Sequence, residues 1–155
     1  MNENVSLFSG SVEENISLFR EFESDMLDKV VEQAHIELNL NREIIDEGRN
    51  VSSGEQRRIE IARSLLKSAS IMIFDEITST LDIETAYAIE RSAMELEDKT
   101  IIFISHNFSG KLIKSYDSII IMDDGKIVAS GSYEELIDNS EYFRRICNIK
   151  FGSEV

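Results

Sequence analysis

Apolar and polar residues alternate along this chain with two different periods, and the change falls near residue 70. Between about Asp25 and Leu40, Leu27, Val30, Val31, Ala34 and Leu38 recur at helical spacing, which predicts an amphipathic helix. A second helix is predicted from Ser52 to about Lys67, with Ile59, Ala62 and Leu66 on one face. Three Ser-x-x-Glu arrangements, Ser11/Glu14, Ser52/Glu55 and Ser132/Glu135, have the form of capping boxes, in which hydroxyl and carboxylate satisfy each other's free backbone amides at a helix start.

Beyond Ser70 the apolar residues form short continuous runs. Ile71–Phe74 and Ile101–Ile104 read as buried strands separated by a helix over roughly Ile83–Leu96, a βαβ unit with parallel strands. Ser118–Met122 and Lys126–Ala129 flank Asp124-Gly125, which predicts a β-hairpin. A helix starting at Ser132 and another around Tyr142–Ile149 complete the pattern. There is no proline, repeat or low-complexity stretch to mark a linker.

Composition narrows this picture. With 155 residues, 42% apolar and 30% charged, the chain falls in the globular range. No apolar run approaches the roughly eighteen residues of a membrane span, and the first residues have neither a basic nor an apolar leader region. A protein neither secreted nor membrane-spanning is expected. The formal charge of −14 disfavours nucleic acid and anionic lipid as general partners, because both require a positive surface. A single cysteine, Cys147, is expected in the core and fits a reducing cytoplasm. His35, beside the stripe of the first helix, has no second His or Cys at ligand spacing and reads as a helix-surface or boundary residue.

Two segments carry candidate chemistry. Ile71-Met72-Ile73-Phe74-Asp75-Glu76 delivers two adjacent carboxylates to the C-terminal end of a strand, where ligands bind in open α/β sheets. Asp75 can face Mg²⁺ while Glu76 faces a water, the division of labour that phosphoryl transfer requires. Taken alone, such a pair also opens an ordinary turn. Ser52-Ser53-Gly54 at a helix N-terminus offers hydroxyls, free amides and the positive end of the helix dipole to a phosphate, and equally reads as an ordinary N-cap.

Together these residues resemble the ABC ATPase family. Ser52-Ser53-Gly54-Glu55 resembles the LSGGQ signature with Ser for the first Gly and Glu for the Gln; Asp75-Glu76 is similar to the Walker B pair. Ser79-Thr80-Leu81-Asp82 is similar to the D-loop, and Ser105-His106 falls where the family's switch histidine follows a strand. The likeness extends through Leu7–Ile16, similar to the segment after the Q-loop of exporter-type domains, and Asp46-Glu47-Gly48, similar to the X-loop. It continues into Gly125–Val128 and Gly131–Leu136, which resemble the family's last hairpin and following helix. Two departures stand out. No Walker A loop or adenine-stacking aromatic residue is found, and Asn2 or Glu3 falls near the place of the Q-loop glutamine.

The resemblance implies an α/β fold: an incomplete P-loop NTPase, or RecA-like, parallel sheet with part of the ABC helical subdomain and a C-terminal β-hairpin and helices. Residues 1–69 would form the helical part with the signature loop, and residues 70–155 the partial RecA-like core. It implies ATP and Mg²⁺ as ligands, Glu76 and His106 as catalytic residues, Asp75 as metal ligand, and Ser52, Ser53, Gly54, Glu55 and Asp82 as nucleotide-binding residues. The implied partners are a Walker A segment or a second ABC ATPase subunit, together with a transmembrane transporter domain at the cytoplasmic face of a membrane. Without Walker A, weak or absent ATP binding is expected. A non-catalytic module that docks onto a full-length ABC ATPase is the alternative from another class.

Overall fold

The computed structural model of the chain describes residues 6–67, 69–76, 81–106, 108, 110 and 112–151. These divide into two compact units, residues 1–106 and residues 107–155. The boundary expected at residue 69 falls inside the first unit, where the helices and the parallel strands share one core.

In the first unit, strand β1 (Gly10–Ser11) leads directly into helix α1 (Val12–Ser17). Ser11 and Glu14 cap α1 reciprocally, as the Ser-x-x-Glu pattern predicts. Helix α2 (Ser24–Gln33) stops earlier than its apolar spacing suggests. His35 adopts φ +51°, while the His35 amide donates to the Glu32 carbonyl and the Ile36 amide to the Val31 carbonyl. That pair of bonds is a Schellman ending, with a histidine where glycine is usual. Leu38 and Leu40, which continue the stripe in sequence, pack on the core from the following loop.

Strand β2 (Glu43–Ile44) pairs antiparallel with β1 and precedes a tight turn, Asp46–Gly48, whose three residues all have positive φ. Helix α3 (Ser53–Leu66) follows, capped by the Ser52/Glu55 box. Strand β3 (Ile71–Asp75), helix α4 (Ile83–Met94) and strand β4 (Thr100–Ile104) then form the expected βαβ unit. The strands are parallel and in continuous register from Ile71↔Thr100 to Asp75↔Ile104.

One core holds this unit together, with Val12, Ile16, Ile44, Ile59, Ile61 and Ala62 all essentially inaccessible. Met72 and Phe74 join it from β3, and Ile89 and Ala93 from α4. The strands are not buried on both faces as their continuous apolar runs suggest. Ile71 and Ile73 are each 61% exposed, Ile102 43% and Ile104 49%. A run with no polar residue cannot indicate which face is covered, because the side-chain period of two is invisible in it.

Asn15 is the polar exception in the core, wholly buried on α1. Its carboxamide accepts from the Phe8 amide and donates to the carbonyls of Phe8 and Ser11. Arg63 of α3 donates to the Asn15 carbonyl and carboxamide oxygens and to the Ser6 carbonyl, and its guanidinium lies over the Phe8 ring. A buried amide with every polar atom partnered stabilises one arrangement of its neighbours, since any other leaves it unsatisfied.

Among its described residues the second unit has a short 3-10 helix (Ile113–Ser115), a hairpin and two α-helices. Strands β5 (Ile119–Asp123) and β6 (Lys126–Gly131) meet at Asp124 and Gly125, both at positive φ as a type I′ turn requires, with a bulge between Ile121 and Met122. Ser132 and Glu135 cap helix α5 (Tyr133–Asn139), and α6 (Glu141–Phe151) follows. Tyr133, Leu136, Phe143 and Cys147 form the centre of this core. Burial pushes the Cys147 thiol up, which keeps it protonated and unreactive at neutral pH.

Gly48 offers a test of the first unit. Its φ is +94°, and a β-carbon added there would stand 2.8 Å from Leu7 Cδ1 and 3.3 Å from Gln56 Nε2. Gly48→Ala is expected to destabilise the chain by about 1–3 kcal/mol, from backbone strain and displacement of buried Leu7. Urea unfolding followed by circular dichroism measures this; a midpoint equal to wild type would show that the turn accommodates a side chain freely.

Candidate functional site

The register of β3 with β4 sets the site. Because Asp75 pairs with Ile104, the residues that follow each strand leave the sheet at the same rim. The Glu76 amide extends the ladder by donating to the Ile104 carbonyl at 2.8 Å. Glu76 itself turns to φ +50°, a conformation that costs an L-residue about 1–2 kcal/mol unless its surroundings hold it. There its carboxylate meets His106, with Oε1 2.7 Å from the ring Nδ1. The two residues assigned catalytic roles from the sequence thus stand in direct contact. Both side chains are open to solvent, at 49% and 73% exposure, so a ligand can reach them.

Asp75 ends β3 with an exposed side chain. Among the described residues no group of three or more His, Cys, Asp or Glu is arranged to hold a metal ion. A lone carboxylate suits Mg²⁺ only where phosphate oxygens and waters complete the octahedron, the usual arrangement when this ion enters with a nucleotide. Asp75 by itself therefore suits a Mg²⁺ that enters with a nucleotide.

The Ser52–Glu55 segment heads α3. The Ser52 hydroxyl accepts from the Glu55 amide at 3.3 Å, and the Glu55 carboxylate accepts from the Ser52 amide at 2.6 Å. Ser53 and Gly54 open the first turn, where the helix offers their amides no acceptor. Gly54 has no positive φ, and a β-carbon there would meet only ordinary contacts with Leu81 and Arg58. Packing within the chain therefore does not require glycine at this position. The Ser52 amide holds the Glu55 carboxyl below the usual carboxylate range, and Arg42 and Arg58 add to that effect against desolvation. Arg42 Nη1 lies 3.7 Å from Glu55 Oε1.

Asp82 is the N-cap of α4 and accepts from the Thr85 amide at 3.0 Å, which draws its carboxyl down. Of the remaining D-loop-like residues, Ser79 and Thr80 lie outside the described residues.

Several residues that tie the site together did not stand out in the sequence. Gln56 Nε2 donates to the carbonyls of Gly48 and Val51, which fastens the Asp46–Gly48 turn to the start of α3. Arg57 Nη2 donates to the Glu76 carbonyl at 3.2 Å, while its Nη1 pairs with Glu60 at 2.6 Å. Gln56 and Arg63 are seven residues apart and share a face with buried Ile59. Polar residues at i and i+7 beside an apolar i+3 were the available signal, a polar interruption on the face that should be covered.

Comparison with known proteins places these motifs in a wider context. Residues 1–79 match the family described as ABC transporter. The chain is 35% identical over 164 aligned positions to an ATP-dependent lipid A-core flippase of Pseudoalteromonas translucida, covering 99% of this chain and 28% of the flippase. It is 34% identical to the pediocin PA-1 transport/processing ATP-binding protein PedD of Pediococcus acidilactici, covering 90% of this chain and 20% of that protein. Among solved structures it resembles a bacterial Atm1-family ABC exporter with ATP bound, with a TM-score of 0.82, 25% identity, and coverage of 96% of this chain and 28% of the exporter. The chain thus spans between a fifth and just over a quarter of the length of these relatives.

The capping box makes an electrostatic prediction. A depressed folded-state value means that Glu55 contributes stability that is fully present above its ordinary value of 4.5 and is lost as pH falls through the depressed value. Glu55→Gln lacks the ionised acceptor, so wild type should exceed it in urea stability at neutral pH, and the gap should close in acid. An equal gap at every pH would remove the charge-assisted cap from the account.

Proposed function

The chain belongs to the ABC transporter family, and on that premise we propose that it is the part of an exporter-type ATP-binding domain that presents the signature loop to one nucleotide and the Walker B carboxylates to another. The contact between Glu76 and His106 at the shared rim of β3 and β4 is the observation that carries this reading. A carboxylate that polarises water and an imidazole that donates to developing negative charge are the pair needed to attack and stabilise a terminal phosphoryl group. Asp75, one residue earlier, would hold the Mg²⁺ that arrives with ATP, which neutralises charge on the phosphate oxygens.

The signature side of the proposal rests on α3. Ser53 and Gly54 offer amides at the positive end of a fourteen-residue helix, and neither φ nor packing within the chain requires glycine at position 54. Close approach of a phosphate explains such a glycine. Ser52 and Glu55 would shape this loop through their cap, with Arg42 and Arg58 offsetting the carboxylate charge beside an anionic ligand. Asp82 would act at the same interface from the head of α4. Coupling of hydrolysis to transmembrane transport would need a transporter domain, placing the chain at the cytoplasmic face of a membrane; no described helix is itself long and apolar enough to cross one.

No Walker A sequence occurs in the 155 residues, and Asp75 alone holds Mg²⁺ weakly. The chain alone is therefore expected to release no measurable phosphate from Mg-ATP. Turnover should appear when a Walker-A-bearing segment is supplied and should vanish again with Glu76→Gln. Phosphate release and calorimetric nucleotide binding read this out. Turnover by the chain alone that Glu76→Gln abolishes would reveal a phosphate-binding element within it, and no turnover in the completed assembly would sink the catalytic reading. A non-catalytic docking module is the second reading, favoured by the exposed apolar face of Ile71, Ile73, Ile102 and Ile104.

A further inference from the structure

Glu76 stands at φ +50° where β3 gives way to the following loop. A residue with a β-carbon does not choose that conformation, so its neighbours must hold it there. Its backbone is gripped from two directions. The amide donates to Ile104 at 2.8 Å, which continues the ladder of β3 with β4. The carbonyl accepts from Arg57 Nη2 at 3.2 Å, and this bond comes from outside the sheet, from the first half of α3.

Arg57 is itself aimed. Its Nη1 pairs with Glu60 Oε2 at 2.6 Å, one turn further along the same helix. Such a surface pair adds little stability by itself. It does restrict a long side chain, and the planar guanidinium then directs its second nitrogen toward the strand end. Arg57 thus meets the backbone carbonyl of Glu76, while the Glu76 carboxylate meets His106.

We propose that Arg57 is a positioning residue: oriented by Glu60, it fixes the backbone of Glu76 in the left-handed conformation that brings the carboxylate to His106. The geometry of the carboxylate–imidazole pair then depends on how the signature helix is seated. The two ends of the chain's chemistry, the Ser52–Glu55 loop and the Asp75–Glu76 carboxylates, are thereby joined through one side chain. Treating Glu76 as the water-polarising group rests on the function proposed above; the anchoring of its backbone does not.

The test uses the full chain, labelled with ¹³C and ¹⁵N. The backbone coupling constant and α- and β-carbon shifts of Glu76 report its φ, its amide exchange reports the bond to Ile104, and the His106 ring shifts report the side-chain contact. In Arg57→Ala, Glu76 is expected to leave the left-handed region and its amide to exchange roughly fivefold to tenfold faster. The His106 ring shifts should move toward those of Glu76→Gln. Arg57→Lys, which keeps a donor, should restore part of each signal, Glu60→Gln should weaken them partly, and Arg58→Ala should leave them unmoved. Wild-type φ and ring shifts in a folded Arg57→Ala chain would overturn the proposal. Should that variant fail to fold, unchanged signals in both Arg57→Lys and Glu60→Gln would overturn it equally. If the signals respond while an assembly completed with a Walker A segment shows no turnover, the positioning stands and the proposed function fails. Glu76-dependent turnover with unmoved signals gives the reverse.

Discussion

The meeting of Glu76 with His106 depends first on the register in which β3 pairs with β4. Parallel strands start and stop together only if their pairing is fixed, and a slip of one residue sends every side chain to the opposite face. Here Met72 and Phe74 are buried on the core side, while Phe103 packs against the same core from β4. A slip would put Ile71 and Ile73 inward and leave Phe74 in water. Core packing thus locks the register, and the register places Glu76 and His106 on one rim.

Helix α3 connects that rim to the rest of the first unit. Its apolar side, including Ile59, Ala62 and Leu66, contributes the burial. Its polar side chains give the burial a direction. Gln56 reaches back to the Asp46–Gly48 turn, Arg57 reaches the Glu76 carbonyl, and Arg63 reaches Asn15 and Ser6. Desolvation lowers the Arg63 guanidinium from its ordinary value, yet the group stays charged at any physiological pH. A half-buried cation needs its acceptors, so the segment from Ser6 to Asn15 is held against α3 more firmly than its apolar contacts alone would require.

The bare face of the parallel pair has an energetic meaning as well. Burying an isoleucine side chain contributes about 1.5–3 kcal/mol relative to leaving it in water. Ile71, Ile73, Ile102 and Ile104 expose that surface together on one small sheet, and the carboxylates stand at its edge. A contiguous apolar patch of this kind marks a surface made to be covered. The relatives described above are about three and a half to four and a half times as long as the chain.

Much of this organisation was legible from residue patterns. The three capping boxes lie where Ser-x-x-Glu places them, because capping is local and depends on four consecutive residues. The Asp124-Gly125 turn likewise follows from the positive φ those two residues tolerate. The order of Ser52–Gly54, Asp75-Glu76 and His106 carried the resemblance to the family that the match over residues 1–79 shows. The end of α2 was not legible: His35 can continue a helix, and it terminates one here while Leu38 and Leu40 pack from the loop beyond. Nor was the exposed side of β3, since an unbroken apolar run carries no sign of its facing. Least visible was the grip of Arg57 on Glu76, a contact between residues nineteen positions apart. Sequence determines what each segment can form by itself; which arginine meets which carbonyl is decided only when the core sets the helix against the strand.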